Sequence, residues 1–133
     1  MKYLSGPARF RQLLAKPGYI QALGVFDPLS ARVCESMGVE CVHIGGYQAG
    51  VGTAISEPLM TLTELAALCH YVTAAVKIPV FVDAGTGFGE PLHVMRAVRE
   101  LERTGIAGMH IEDQIFPKRA HYHKYVEHTV SCE

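Results

Sequence analysis

Two short apolar segments that end in carboxylates constrain the fold of this chain more than any other feature. The first runs from Pro79 to Asp83 and the second from Gly108 to Glu112. Apolar runs of this length are typical of buried parallel strands, so the carboxylates lie at the carboxyl ends of the strands. Neighbouring strands would present both carboxylates at one edge, where a hard cation such as Mg²⁺ binds oxygen ligands. This is the edge at which α/β proteins place their chemistry.

Predicted helices and strands alternate along the rest of the chain. We expect strands over 20–26, 40–44, 79–83 and 107–112, helices over 9–16, 28–37, 61–76 and 91–104, and a loop over 45–59. This alternation predicts an α/β fold with a parallel sheet, in a single domain spanning 1–133. Four strands fit either a small doubly wound sheet or half of an eight-stranded βα barrel, which usually needs about 250 residues.

Composition excludes several classes of function. A formal charge of -1 gives no electrostatic case for nucleic acid or an anionic membrane as partner. No apolar run approaches the roughly 18 residues that span a bilayer, and the N-terminus lacks the pattern of a signal peptide. None of the four cysteines forms a C-x-x-C pair. We therefore expect reduced thiols in a cytoplasmic protein.

Asp83 and the glycines that follow it allow more than one interpretation. As a strand-end carboxylate beside a flexible turn, Asp83 is a candidate metal ligand, but it could also be a turn or helix-capping aspartate. Gly85, Gly87 and Gly89 superficially match a dinucleotide-binding loop. The spacing is G-x-G-x-G, with Glu90 in place of the last glycine, and the loop follows the third strand. A nucleotide-binding module is therefore kept only as an alternative.

His110 and Glu112 alternate with apolar residues and so share one face of the fourth predicted strand. In a barrel that face points inward, where an ionisable pair is costly unless it is used or paired. The alternative is a structural ion pair with a lysine or arginine.

Two further pairs of residues could bind an anion. Gly45 and Gly46 follow the second strand and could offer backbone N–H groups to a carboxylate or phosphate, or could form a plain tight turn. Lys118 and Arg119 follow the fourth strand, and could either bind an anionic substrate or be a solvated pair.

Together these motifs resemble the N-terminal half of the isocitrate lyase / phosphoenolpyruvate mutase superfamily, over residues 10–127. The matching stretches are 11–14, 24–32, 45–47, 61–64, VDAGTGFG at 82–89, HIEDQ at 110–114, and 118–119. The resemblance implies an Mg²⁺-dependent enzyme on an eight-stranded βα barrel, of which this chain covers about the first half. It also implies a homo-oligomer, typically a tetramer. Family substrates are small 2-oxo or 2-hydroxy carboxylates or phosphonates, whose C–C or P–C bonds react through an enolate-like unit.

The resemblance assigns metal-binding roles by position. Asp83 matches the direct ligand of the metal. Glu112 matches an acidic residue of the metal's surroundings that often acts through water. Glu57 corresponds to an aspartate of a mobile loop near the metal.

The resemblance also assigns roles toward the substrate. Gly45 and Gly46 match the backbone that holds the substrate carboxylate, and His110 matches a polar residue facing the substrate. Lys118 and Arg119 begin the gating loop and, with the Glu112 carboxylate, are the expected catalytic residues. Residues 120–133 would continue this loop, and we expect them to be mobile.

Three departures from the family pattern narrow the activity. Asp83-Ala84-Gly85 replaces the usual Asp-x-Asp, and Gly45 stands where the lyases often have serine. Ala120 occupies the position of the catalytic cysteine, which argues against a standard isocitrate or methylisocitrate lyase. We expect a C–C lyase or decarboxylase-like enzyme. The alternative is a truncated, inactive fragment or pseudoenzyme, because the second half of a barrel supplies further substrate-binding residues.

Overall fold

A computed structural model describes residues 5–119 and 128–131 and contains one parallel sheet. Its strands are β1 (Ala22–Gly24), β2 (Cys41–Ile44), β3 (Val80–Asp83) and β4 (Gly108–His110). Each strand pairs in parallel with the next strand along the chain. A doubly wound sheet reverses its strand order at a switch point, whereas barrel strands follow chain order. The order β1-β2-β3-β4 is therefore that of half a βα barrel, and the predicted fold class is confirmed.

Within the described residues, five α-helices and one 3₁₀ turn accompany the strands, with the first helix before β1 and the others between consecutive strands. They are α1 (Gly6–Leu14), α2 (Pro28–Ser36), α3 (Gly46–Thr53), the 3₁₀ turn Glu57–Leu59, α4 (Leu62–Ala75) and α5 (Pro91–Arg103). Capping boxes fix two of the helix starts, at Asp27 with Ser30 and at Thr61 with Glu64. Hydrogen bonds from the backbone and side chain of Ser30 lower the pKa of Asp27. The capping box expected at Thr61 is confirmed.

The two faces of the sheet have different environments. One face buries Val42, Ile44, Val80 and Val82 in a core completed by the helices, through residues that include Ala31, Leu65, Cys69, Val72 and Leu101. The other face is the barrel interior, where residues alternate with the buried set and include His43, Phe81, Asp83 and His110. Helix α1 places Phe10 against Phe81, with ring centroids 5.5 Å apart.

The expectation of a loop over 45–59 was wrong, because this segment contains α3 and the 3₁₀ turn. Four glycines within 45–52 lower helix propensity and conceal the helix in the sequence. Two of these glycines meet backbone closely. A β-carbon on Gly50 would collide with the carbonyl of Ile55, and one on Gly52 with the carbonyl of Phe26. Glycine is present here because the helix lies against neighbouring backbone.

Two strands are shorter than expected. β1 covers three residues of the expected 20–26, and β4 ends at His110. Glu112 therefore lies beyond the strand rather than on its face. Its backbone N–H donates to the carbonyl of Gly85 at 2.9 Å, which keeps it beside the end of β3.

Most of the segment expected to be mobile lies outside the described residues, which resume at 128–131. There the Ile115 N–H donates to His128 O at 2.9 Å and the Val130 N–H donates to Asp113 O at 2.8 Å. The mobility of 120–133 stays a prediction. Within the described residues, no helix has the length and apolar character to cross a bilayer.

The core assignment predicts different outcomes for two leucines of α5. Leu101 is 0% exposed and Leu92 is 78% exposed. Leu101→Ala should lower the free energy of unfolding by about 2–5 kcal/mol, because it leaves a cavity in a packed interior. Leu92→Ala should change it by less than about 0.5 kcal/mol. Urea denaturation measures both, and equal losses would contradict this account of the core.

Candidate active site at the carboxyl edge

The site lies where the four strands end, after Gly24, Ile44, Asp83 and His110, and we call this the carboxyl edge. Because the four strands are parallel, their carboxyl ends all lie at the same edge of the sheet. The predicted convergence of strand-end carboxylates on one edge is therefore a consequence of the topology.

Backbone N–H groups hold the Asp83 carboxylate from two directions. Oδ1 accepts from the Gly85 N–H at 2.8 Å, and Oδ2 accepts from the Gly46 N–H at 3.3 Å. Gly46 is the first residue of α3, whose first N–H groups have no partner within the helix. The Gly46 N–H expected to bind a substrate carboxylate is thus directed at Asp83, on a neighbouring strand.

A lysine ammonium lies between two of the other predicted carboxylates. The Nζ of Lys118 donates to Glu57 Oε1 and forms an ion pair with Glu112 Oε1 at 2.6 Å. The three side chains are 17%, 22% and 31% exposed, respectively. Burial alone would lower the pKa of Lys118, but the carboxylates of Glu112 and Glu57 outweigh it and raise the pKa above its ordinary value. The ammonium therefore stays charged at neutral pH.

The carboxyl edge carries more negative than positive charge. Asp83 also acts electrostatically on Lys118, so three carboxylates surround one ammonium. Among the described residues, no three His, Cys, Asp or Glu side chains are already placed to ligate one metal ion. Mg²⁺ usually keeps several waters and takes only one or two protein carboxylates directly. Oxygen donors with excess negative charge fit such a hydrated cation.

Two histidines extend the site into the barrel interior. The Nε2 atoms of His43 and His110 are 3.3 Å apart, and His110 Nδ1 lies 3.6 Å from Asp83 Oδ1. Burial and the neighbouring His110 lower the pKa of His43, and Asp83 acts in the opposite direction. Sequence reasoning missed His43. Its signal was its position two residues before Gly45, on the inward face of β2.

A cavity of about 60 Å³ lies beside the carboxylates. Its polar lining includes Gly46, Glu57, Asp83 and Lys118, and its apolar lining includes Met60, Leu65, Phe88 and Phe116. The structure thus brings together most of the predicted site residues. Gly45 is buried at the start of α3, His110 faces the barrel interior, and Arg119 is exposed next to Lys118.

The comparisons with known proteins cover most of the chain. The sequence profile of the phosphoenolpyruvate phosphomutase family matches residues 10–132. A 2-methylisocitrate lyase of Aeropyrum pernix is 45% identical over 112 residues, which are 82% of this chain and 36% of the relative. An oxaloacetate decarboxylase of Pseudomonas fluorescens is 40% identical over 110 residues, 81% of this chain and 38% of the relative.

A solved structure gives the same relationship in three dimensions. Phosphoenolpyruvate phosphomutase from Streptomyces platensis subsp. rosaceus matches with a TM-score of 0.88 and 31% sequence identity. The match covers 96% of this chain and 45% of that one. The chain therefore spans less than half the length of each of these three proteins.

Close packing at the start of α3 predicts a difference between two glycines that each begin a helix. A β-carbon on Gly46 would collide with the Glu57 carboxylate, whereas one on Gly6, the first residue of α1, would make only ordinary contacts at 3.6–3.7 Å. Gly46→Ala should lower the free energy of unfolding by about 1 kcal/mol, because the Glu57 carboxylate must move and its ion pair with Lys118 weakens. Gly6→Ala is the control and should be neutral. Equal unfolding midpoints in urea would contradict this packing.

Proposed function

Because the chain belongs to the phosphoenolpyruvate phosphomutase family, we propose that it forms the metal- and substrate-binding edge of a magnesium-dependent C–C lyase or decarboxylase. The substrate class is a small 2-oxo or 2-hydroxy carboxylate, reacting through an enolate-like intermediate. The observation that carries the proposal is the convergence of Asp83, Glu57 and Glu112 around Lys118 at the carboxyl edge. Relatives named as a lyase and a decarboxylase support the same class of reaction.

Three carboxylates would hold the metal. Asp83 is the proposed direct ligand, because two backbone N–H groups already fix both of its oxygens. Glu57 and Glu112 would order the metal's waters. When bound, Mg²⁺ supplies positive charge opposite the oxygens on which negative charge develops during the reaction.

The chain's own polar groups would hold the substrate. The first turn of α3, which follows its N-cap Gly45, would present N–H groups and the positive end of a helix dipole to an incoming carboxylate, and the Gly46 N–H would reach it by leaving Asp83. His110 faces the interior beside Asp83 and would contact the reacting end of the substrate. Aromatic and aliphatic side chains line the cavity and would limit water there, which strengthens each charge interaction.

Lys118, Arg119 and Glu112 are the proposed catalytic residues. A lysine whose pKa is raised cannot serve as a base at neutral pH. The same raised pKa makes its ammonium a weak acid, so we assign Lys118 the role of a fixed cation that stabilises negative charge developing on the substrate. Glu112 would orient that ammonium through their ion pair. Arg119 would add positive charge at the mouth of the site.

The loop sequence favours some reactions of the family over others. Ala120 lies outside the described residues, and it stands where the resemblance places a catalytic cysteine. Without that thiol the proton would come from water, which favours decarboxylation or an atypical C–C cleavage. Assays of oxaloacetate, 2-methylisocitrate and phosphoenolpyruvate with Mg²⁺ test this choice. Activity only on phosphoenolpyruvate would replace the lyase by a mutase.

The assembly is part of the proposal. The chain covers 36–38% of the two curated relatives, so complete activity needs whatever supplies the second half of the barrel. We propose a homo-oligomer, a tetramer in the complete enzyme, and light scattering of the purified protein would measure it.

The metal assignment predicts that Asp83→Asn loses Mg²⁺ affinity by at least about tenfold, because a neutral amide replaces the charged ligand. Glu40→Gln is the control, since Glu40 pairs with Lys16 at the opposite edge of the sheet. Calorimetric titration of Mg²⁺ into the protein measures both variants. Unchanged affinity in Asp83→Asn would remove Asp83 from this role.

The charge balance predicts that removing the ammonium of Lys118 raises Mg²⁺ affinity, the opposite of the change expected for Asp83→Asn. Its ammonium contacts Glu57 and Glu112 and so competes with a divalent cation for them. Lys118→Met should raise Mg²⁺ affinity by about tenfold, or about 1.4 kcal/mol. It should also reduce turnover. Lys16→Met removes an exposed lysine paired at the opposite edge and should leave Mg²⁺ affinity unchanged. A fall in the affinity of Lys118→Met would show that the ammonium does not compete.

A further inference from the structure

The side chain of Gln48 fills space left by two glycines at the carboxyl edge. Gly24 ends β1, and Gly45 precedes α3 after the end of β2. A β-carbon on Gly24 would collide with Nε2 of Gln48, and a β-carbon on Gly45 would collide with its Oε1. The Gln48 carboxamide therefore occupies the volume that a side chain at position 45 would take.

This carboxamide faces the polar interior of the barrel. The space beside Gly45 that contains Gln48 Oε1 is also bordered by the ring of His43, which in turn contacts His110. Gln48 is half-buried, and within residues 5–119 and 128–131 its side chain makes no hydrogen bond. A partly buried amide that faces a polar site with its donors unused is suited to bind a ligand.

The position of Gln48 on α3 favours an anionic ligand over a neutral one. Gln48 is the third residue of α3, so its amide lies at the positive end of the helix dipole. Nε2 carries two N–H donors, which match the acceptor oxygens of a carboxylate. A glycine at position 45 has no side-chain donor. Gln48 Oε1 lies in that space and Nε2 lies beside Gly24, so a half-turn of the carboxamide about its last side-chain bond brings the N–H donors to the position-45 side.

We propose that Gln48 is a specificity-determining residue whose Nε2–H group donates to the carboxylate of the small oxo- or hydroxy-acid substrate. This inference rests on the proposed function, because it places the substrate carboxylate at the start of α3. It predicts that the carboxamide of Gln48 requires glycine at positions 24 and 45, because a side chain at either position would take its space.

A purely structural role for Gln48 gives a different expectation. A glutamine at the third position of a helix can reach back to cap the first turn. Glutamate serves that purpose equally well and is favoured by the helix dipole. If Gln48 only caps the helix, Gln48→Glu would keep or raise the free energy of unfolding and leave ligand binding unchanged. As a carboxylate-binding group, the same change would replace both N–H donors by a negative charge of nearly identical shape.

The experiment is a calorimetric titration of oxalate into the Mg²⁺-loaded protein. Oxalate is the probe because its adjacent carboxylates imitate a small oxo acid in its enolate form. Gln48→Met keeps the bulk without the donors and should weaken oxalate binding about tenfold. Gln48→Glu should weaken it further. Gln12→Glu adds the same charge on the exposed surface of α1 and should have no effect.

A double variant tests whether position 45 can take over. In Gly45→Ser with Gln48→Ala, the serine hydroxyl enters the vacated space and should recover part of the affinity lost in Gln48→Ala alone. Equal oxalate binding by wild type, Gln48→Met and Gln48→Glu would overturn the role of Gln48 while leaving the proposed function intact. Failure of the Mg²⁺-loaded wild type to bind oxalate would overturn the substrate site, and this inference with it. Urea unfolding midpoints identify any variant whose loss comes from misfolding.

Discussion

The carboxyl edge depends on a cation that can offset the charge of three carboxylates held close together. Asp83 and Glu112 follow the neighbouring parallel strands β3 and β4, and the 3₁₀ turn after α3 brings Glu57 to the same partly buried surroundings. Like charges held there repel one another strongly, because the local dielectric constant is below that of water. Lys118 supplies the counter-charge through contacts with two of the three. The same arrangement makes the edge receptive to a divalent cation, which would bring more positive charge than the ammonium does.

Glycines leave the space in which the side chains of the carboxyl edge lie. Gly46 lets the Glu57 carboxylate approach the first turn of α3, and Gly24 and Gly45 leave room for Gln48. Elsewhere in α3, Gly50 and Gly52 allow backbone from other segments to lie against the helix. Helix α3 therefore gives up intrinsic helix propensity for close packing. This loss of helix propensity affects the helix whose N-terminus faces the proposed substrate.

The sequence was informative where structure is determined locally. Capping residues such as Asp27 and Thr61 mark helix starts by contacts within four residues, and the apolar run before Asp83 marks a buried strand. The convergence of Asp83 and Glu112 also followed, because strand ends of a parallel sheet share an edge. Helix α3 was missed because its glycines are chosen for contacts with distant backbone. His43 and Gln48 were missed for a related reason: His43 contacts His110 on another strand and Gln48 lies against Gly24 at the end of β1, so the contacts that give them a role at the site are made between distant parts of the chain.

The relatives carry the names of different reactions on one fold, so the choice of reaction must reside in a few side chains around a shared edge. In this chain Asp83 and Glu112 stand at the positions of the proposed metal-binding carboxylates, but Gly85 replaces the second aspartate of the Asp-x-Asp pattern. The other two departures concern groups that would meet the substrate. Gly45 lacks a side-chain donor and the Gln48 carboxamide lies in its place, while Ala120 lacks a thiol and Lys118 keeps a positive charge beside the carboxylates. The departure at position 85 thus removes a negative charge from the carboxyl edge, and those at positions 45 and 120 change which groups would reach the substrate.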